Sequence, residues 1–256
     1  MPANHISHLQ CVLCSAIYDP AEIAYTCPKC GPLGVLEVHY NYEQIAPHIS
    51  RSSLAEERNP TLWRYRALLP ISYSQTNMPQ LAIGGTPLYA VERLRGYLGM
   101  SDLWLKDDTR NPSASLKDRA SIIAVMLAEG KTVACASTGN AASSLAVQAA
   151  SIGLPCYIFV PHNAPRAKIV QLLMCGATVF AVQGTYDEAF DMCIEACNTF
   201  GWYNRNTGYN PYLVEGKKTV GLEIVEQLGW RVPDTILVPT GDGCIISGVY
   251  RGFEDL

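Results

Sequence analysis

Lys117 stands in "NPSASLKDRAS" (residues 111–121), between a serine-dotted turn and an Asp-Arg pair where a helix begins. An amine at a helix N-terminus feels the positive end of the helix dipole, which favours its neutral, nucleophilic form. Ser115 and Asp118 also have the S-x-x-D spacing of a capping box, in which Lys117 is an exposed first-turn residue and no more. Two loops offer anion cradles. "STGNAAS" (137–143) presents Ser137, Thr138 and Asn140 beside helix N-terminal amides, a natural seat for a carboxylate; simple helix capping by Ser or Thr accounts for the same residues. "TGDGCIISG" (240–248) presents Thr240, Gly241, Asp242, Gly243 and Cys244, whose glycines expose backbone N–H groups at a helix start and suit a phosphate. Gly241 and Gly243 begin a GxGxxG pattern, but residue 246 is isoleucine, and Val249 stands where a Walker loop needs lysine. A tight strand-to-helix connection is the alternative reading of that loop.

A fourth group of chemically capable residues lies near the N-terminus, in "CVLCSAIYDPAEIAYTCPKC". Cys11 and Cys14 form one CxxC and Cys27 and Cys30 another, with twelve residues between them. Two such knuckles bring four thiolates onto one tetrahedral Zn2+, and four thiolates leave no open position for substrate, so the expected metal is structural. A thioredoxin-like redox role fits less well, because those motifs do not come in pairs. The other six cysteines lie in apolar or helical-looking surroundings and are expected to pack as small hydrophobes.

The elements that must position these groups are legible from residue 84 onward. "DLWLKDD" reads as a strand, "SLKDRASIIAVMLAEG" as a helix, "TVACA" as a strand and "GNAASSLAVQAASIG" as a helix. The alternation continues through "PCYIFV", "APRAKIVQLLMCG", "ATVFAV" and "YDEAFDMCIEACNTFG" to "KKTVGLEIVEQLG", the strand "DTILVP" and the helix start "GCIISGVYRGF". Short apolar strands alternating with helices predict an α/β fold, with parallel sheet covered by helices on both faces. In such sheets ligands sit where strand ends run into helix N-termini, which is where both cradle loops fall. Before residue 84, "EIAYT" reads as a short strand leading into the second knuckle and "GVLEVHYNYEQI" as a strand leaving it. "RSSLAEERNPTLWRYRALLP" reads as a helical connector and "LPISYSQTNMPQ" as a crossing loop.

Composition narrows the function classes. The 256 residues are 48% hydrophobic and 16% charged, with net charge −4, which fits a globular protein and gives no electrostatic footprint for nucleic acid. The longest apolar runs, such as "IIAVMLA", are too short to span a bilayer, and "MPANHISHLQ" lacks the pattern of a secretory signal, so no membrane partner and a cytoplasmic location are expected.

Together, a lysine amine, a carboxylate cradle and a phosphate cradle at helix N-termini of one sheet are what pyridoxal phosphate requires. "NPSASLKDR", "STGNAAS", "APRAKIVQLLMCGATV" and "VPTGDGCIISG" resemble the fold-type II pyridoxal-phosphate enzymes of the tryptophan synthase beta-like superfamily, and their order and spacing look most like the threonine synthase family. The resemblance implies two α/β domains: residues 84–120 with 216–256 as part of a large cofactor domain, and 121–215 as a smaller one. A zinc ribbon at 8–40 and a connector at 41–83 precede them. It makes Lys117 the Schiff-base lysine and proton shuttle, and Asn140 the partner of the cofactor's 3'-oxygen. Thr240, Gly241, Asp242, Gly243 and Cys244 become the cofactor-phosphate loop, and Ser137 and Thr138 seats for the substrate α-carboxylate.

The implied reaction is a lyase step that converts O-phosphohomoserine and water to threonine and phosphate. Two departures matter. "NPYLVEGKKT" has Leu213 where many relatives carry a substrate-phosphate arginine, leaving Lys217, Lys218 and Arg205 as candidates to compensate. The family also continues beyond residue 256, so a C-terminally truncated chain of little activity is expected, with a homodimer formed through an open sheet edge. Elimination or replacement on another amino acid, of the threonine or serine dehydratase or cysteate synthase type, and an inactive fragment are the alternatives.

Overall fold

Alternating burial along its first strands gives the chain an N-terminal sheet with one inner face. The computed structural model describes residues 5–23, 25–72 and 79–256. Strands β1 (Ile6–Cys11), β2 (Ile17–Tyr18) and β3 (Leu36–Tyr40) form an antiparallel sheet in the order β2-β1-β3. Leu9 pairs with Val38 and Cys11 with Leu36, and all four are buried, as a period of two demands for one covered face. Among the described residues of "EIAYT" there is no ladder, only a single bridge from Thr26 to Val35; Ala24 lies outside the described residues.

Helices α1 (Tyr42–Ile45) and α2 (Arg51–Glu56) follow, α2 opened by a reciprocal Ser50–Ser53 capping box. A 3-10 stretch, Leu62–Leu68, then buries Leu62, Tyr65 and Leu68 in the core that also holds Leu9, Val38 and Leu222. Residues 73–78 of the crossing loop lie outside the described residues. Beyond it, β4 (Leu88–Ala90), helix α3 (Glu92–Leu98) and β5 (Trp104–Lys106) make an antiparallel β4-β5 pair. The "DLWLKDD" strand is therefore real, but its partner is its own upstream neighbour and not a parallel strand.

The parallel sheet comes next. Helix α4 (Lys117–Leu127) leads to β6 (Val133–Ala136), α5 (Asn140–Ser151), β7 (Cys156–Pro161), α6 (Arg166–Met174), β8 (Thr178–Val182), α7 (Tyr186–Phe200) and β9 (Tyr203–Asn204). The four strands are parallel in the order β8-β7-β6-β9. On one face, Val133, Cys135, Ile158 and Val160 meet Ala142, Leu145 and Ala149 of α5 and Leu172 of α6. On the other, Ala134, Ala136 and Phe159 meet Ala189, Cys193 and Cys197 of α7. All four residues of β6 are buried, the signature of a strand covered on both faces. This is the α/β fold expected.

Helix α8 (Tyr212–Gln227) begins five residues before the expected "KKTVGLEIVEQLG" and lies between α4 and α9 (Cys244–Glu254). Small residues allow that close approach. A Cβ on Gly216 would lie 2.0 Å from Arg119 O, and one on Gly252 2.3 Å from Lys218 O. "DTILVP" is not a strand. Ile236 and Val238 pack on Val220, Ile224 and Val249, and Leu237 between them is exposed, so the alternation is that of a strand. Its backbone meets no ladder partner among the described residues.

Candidate active site

Lys117 is the first residue of α4 and is half-buried. Ser115 Oγ accepts from its backbone N at 3.1 Å, and Ala114 just before holds a positive φ of 55°, a conformation costly for a residue with a Cβ. Asp118 does not complete a capping box with Ser115. Its carboxylate, fully buried, accepts from Ser113 N at 2.7 Å, Ser144 Oγ at 2.8 Å and Gln148 Nε2 at 3.0 Å. The last two donors belong to α5, so Asp118 locks the start of α4 to the helix that follows the first loop. Burial lowers the Lys117 pKa, and the Arg205 guanidinium adds to the effect, while Asp242 and Cys244 oppose it. A lysine shifted down keeps a larger neutral, nucleophilic fraction near neutral pH.

The first loop follows β6. Ser137 N donates to Phe159 O at 3.1 Å, and Ser137 Oγ accepts from Gly139 N at 3.1 Å. Helix α5 starts at Asn140 with no side-chain cap, so Ser137 and Thr138 do not act as helix caps, and Asn140 and Ala141 of its first turn line the cleft. The second loop turns into α9 at Gly243, whose φ of 80° suits glycine. Asp242 Oδ1 accepts from Cys244 N at 3.0 Å, and Thr240 Oγ1 donates to Val238 O at 3.0 Å.

Lys117, Ser137, Asn140 and Asp242 share one cleft of about 490 Å³, at the carboxyl end of β6. Thr138, Thr240, Gly241, Gly243 and Cys244 do not line it, although Cys244 is close enough to act electrostatically on Lys117. The other wall carries Tyr186, Arg205, Asn206 and Thr207. Asn206 Oδ1 accepts from Ala136 N at 2.7 Å, and Tyr186 OH donates to Ala136 O at 3.2 Å, closing the end of β6. Tyr186 and Asn206 were not legible as site residues; the polar run "NRNTGYN" after a short strand was the available signal, and its burial was not.

The three compensating cations separate cleanly. Lys218 turns away, pairing with Glu215 at 2.6 Å and Asp255 at 2.7 Å and lying over the Tyr40 ring. Lys217 is fully buried with no hydrogen-bond partner at Nζ, and burial pulls its pKa down to about 8, with Cys244, Arg205 and Asp242 as its nearest charged influences. Arg205 is also fully buried, and its Nη2 has no partner. Leu213 packs with Ala120 and Ala124, inside an apolar cluster and away from the cleft. The cleft thus brings Lys117, Arg205 and Asp242 together, and Lys217, a buried cation without a hydrogen-bond partner, acts electrostatically with Asp242 and Cys244 of the second loop. The residues fit pyridoxal phosphate.

The four N-terminal cysteines also converge. The sulfurs of Cys11, Cys14, Cys27 and Cys30 lie within 4.8 Å of one another, with Cys14 and Cys27 at 3.7 Å. Zinc–thiolate bonds of about 2.3 Å in a tetrahedron give sulfur separations of this size. A Cβ on Gly34 would fall 2.6 Å from Cys27 Cβ, so the knuckle closes only around glycine.

The family described as pyridoxal-phosphate dependent enzyme matches residues 79–256. Threonine synthase of Methanosarcina acetivorans is 38% identical over 252 residues, 97% of this chain and 60% of that protein. Threonine synthase of Methanocaldococcus jannaschii is 38% identical over 250 residues, 96% of this chain and 60% of that protein. The chain thus spans about 60% of the length of these curated relatives. Among solved structures, threonine deaminase isoform 2 from Solanum lycopersicum aligns with a TM-score of 0.58 at 26% identity, over 67% of this chain and 47% of that one. Cysteine synthase from Entamoeba histolytica, at 20% identity and TM-score 0.62 over 68% and 55% of the two chains, shares the fold. No helix among the described residues is long and apolar enough to cross a membrane.

Proposed function

Because the chain belongs to the family of pyridoxal-phosphate-dependent enzymes, we propose that it is a lyase of the threonine synthase type, converting O-phosphohomoserine and water to threonine and phosphate. The observation that carries this reading is the convergence of Lys117, Ser137, Asn140 and Asp242 on one cleft. Bound pyridoxal phosphate supplies an electron sink for carbanions of an amino acid. The chain's own residues do the rest. Lys117, whose pKa burial lowers, would hold the cofactor's carbonyl carbon and move the substrate's protons. Asn140 would hydrogen-bond the ring oxygen; Thr240, Gly241, Asp242, Gly243 and Cys244, with Lys217 as a nearby cation, would hold the cofactor phosphate; Ser137 and Thr138 would seat the substrate carboxylate.

The same reading divides the chain into a zinc ribbon at 8–40, a connector at 41–83, a cofactor region at 84–120 with 216–256, and a small α/β region at 121–215. Cys11, Cys14, Cys27 and Cys30 hold a structural Zn2+ in it. The test is reconstitution with pyridoxal phosphate, followed by turnover of O-phosphohomoserine against phosphoserine, threonine and serine. A visible cofactor band with phosphate release from O-phosphohomoserine is expected. No cofactor uptake would defeat the reading, and release of ammonia from serine or threonine alone would replace it with a dehydratase.

A further inference from the structure

The outer edge of β9 is closed by a residue from the cysteine-bearing segment. On its inner side β9 pairs with β6: Tyr203 N donates to Thr132 O at 2.8 Å and Arg205 N to Ala134 O at 2.8 Å. The backbone groups of Asn204, between them, point the other way, as alternation along a strand requires. Asn204 is buried, so both groups need partners. Its carbonyl accepts from Asn210 Nδ2 at 2.8 Å, and its N–H donates to the hydroxyl of Tyr25 at 3.0 Å.

Tyr25 is anchored from behind. Thr26 bridges to Val35 and Cys27 N donates to Gly34 O at 2.8 Å, which fixes the backbone of the second knuckle just after it. The ring stands edge-on to Tyr203, 6.1 Å between centroids, and lies 5.2 Å from Tyr209. Burial pushes its hydroxyl up to about 12, so near neutral pH it stays a neutral phenol. From Asn204 the path to the cleft is two bonds long. Asn204 Oδ1 accepts from Asn206 N at 2.8 Å, and Asn206 Oδ1 accepts from Ala136 N at 2.7 Å. Ala136, Arg205, Asn206 and Thr207 line the cleft together with Lys117.

We propose that Tyr25 is a positioning residue for the cleft: its hydroxyl fixes β9 and, through Asn204 and Asn206, sets the wall made by residues 205–207 and the end of β6. A buried N–H left without an acceptor loses its full solvation, so without the hydroxyl Asn204 would shift to reach water. That shift would carry Asn206 and the end of β6 with it. No chemistry is assigned to Tyr25, which does not line the cleft. The positioning role stands on these hydrogen bonds; its effect on pyridoxal phosphate rests on the lyase reading above.

The full chain is compared with Tyr25→Phe, which keeps the ring and removes the hydroxyl. Amide-resolved hydrogen exchange is followed without cofactor, and pyridoxal phosphate is titrated by its spectrum. In Tyr25→Phe the amides of Asn204, Asn206 and Ala136 should exchange about tenfold faster, as expected when a buried donor loses its acceptor. Amides of β7 and β8, across the sheet, should exchange as in the parent, and cofactor affinity should fall about threefold or more. Asn204→Ala, which cuts the second link, should free Asn206 and Ala136 while the amide of residue 204 stays protected; it decides the matter if Tyr25→Phe does not fold. Tyr209→Phe removes a hydroxyl from the same ring cluster but none of these bonds, and should match the parent. Unchanged exchange at Asn206 and Ala136 overturns the proposal. So does faster exchange spread evenly over the sheet, the same opening in Tyr209→Phe, or opening that leaves cofactor affinity intact. A parent that takes no cofactor defeats the lyase reading, and the exchange pattern then decides the role of Tyr25 by itself.

Discussion

Asp118→Asn tests whether the buried carboxylate registers α4 against α5. Asparagine keeps the size and can accept from Ser144 and Gln148 through its one oxygen, but its NH2 then faces Ser113 N, donor against donor. A bond to a charged acceptor contributes about 1.5–3 kcal/mol, and one to a neutral acceptor about half as much. Losing the Ser113 bond and neutralising the other two should therefore cost about 3 kcal/mol. For a chain of this length that corresponds to a fall in Tm of roughly 6–12 °C. Urea unfolding of the cofactor-free protein, with m compared between parent and variant, reads the difference directly. Lys117 and the Ser137–Asn140 loop should separate at the same time, so cofactor affinity should fall with stability. A loss below about 0.5 kcal/mol, within the range of an ordinary surface substitution, would refute the reasoning.

Three further outcomes follow from the site and the ribbon. Lys117→Ala should abolish both the visible band of bound cofactor and turnover while the chain stays folded; a variant that keeps the band would show that another amine holds the cofactor. Lys217→Met should stabilise the cofactor-free chain by up to about 3 kcal/mol at neutral pH and weaken its affinity for pyridoxal phosphate. The sign is set by the folded pKa near 8 lying below the ordinary lysine value of 10.5. Between those values the unfolded chain binds more protons, so parent stability rises with pH and the gain should shrink across that window; a gain that is flat in pH, by denaturant titration, would contradict it. Protein purified without added zinc should carry about one equivalent of metal and lose it in Cys27→Ser, as metal analysis would report; four free thiols without metal would reject the site.

The parallel sheet was readable because β6, β7 and β8 are short apolar runs, each set off by a helix that ends near glycine. "DTILVP" carries the same alternation, yet alternation records only which side chains face inward; whether a neighbour completes the ladder depends on chain that is remote in sequence. Lys217 and Lys218 mark a second limit. They are adjacent and chemically identical, and about 100° of helix rotation leaves one buried without a hydrogen-bond partner and sends the other to Glu215 and Asp255. Nothing in "EGKKT" distinguishes them. Arg205 was one of three candidate cations in the sequence, and because arginine is usually exposed only its tertiary surroundings reveal that it is enclosed. The cluster of Cys11, Cys14, Cys27 and Cys30 was legible for the opposite reason, since its geometry is local and the spacing nearly specifies it.

The N-terminal sheet shares its core with the helices of the site, and it is also bolted to them by polar contacts. Tyr40 OH donates to Glu215 at 2.8 Å, Tyr42 OH to Asp255 at 2.5 Å, and Arg251 Nη2 to Val38 O at 2.5 Å. Leu9 and Leu222 belong to a single buried cluster. The cysteine-bearing segment is therefore not a detachable module that could be grafted elsewhere or trimmed away. It is a retaining wall for α8 and α9, and the folding of one end of the chain is a condition for the shape of the other.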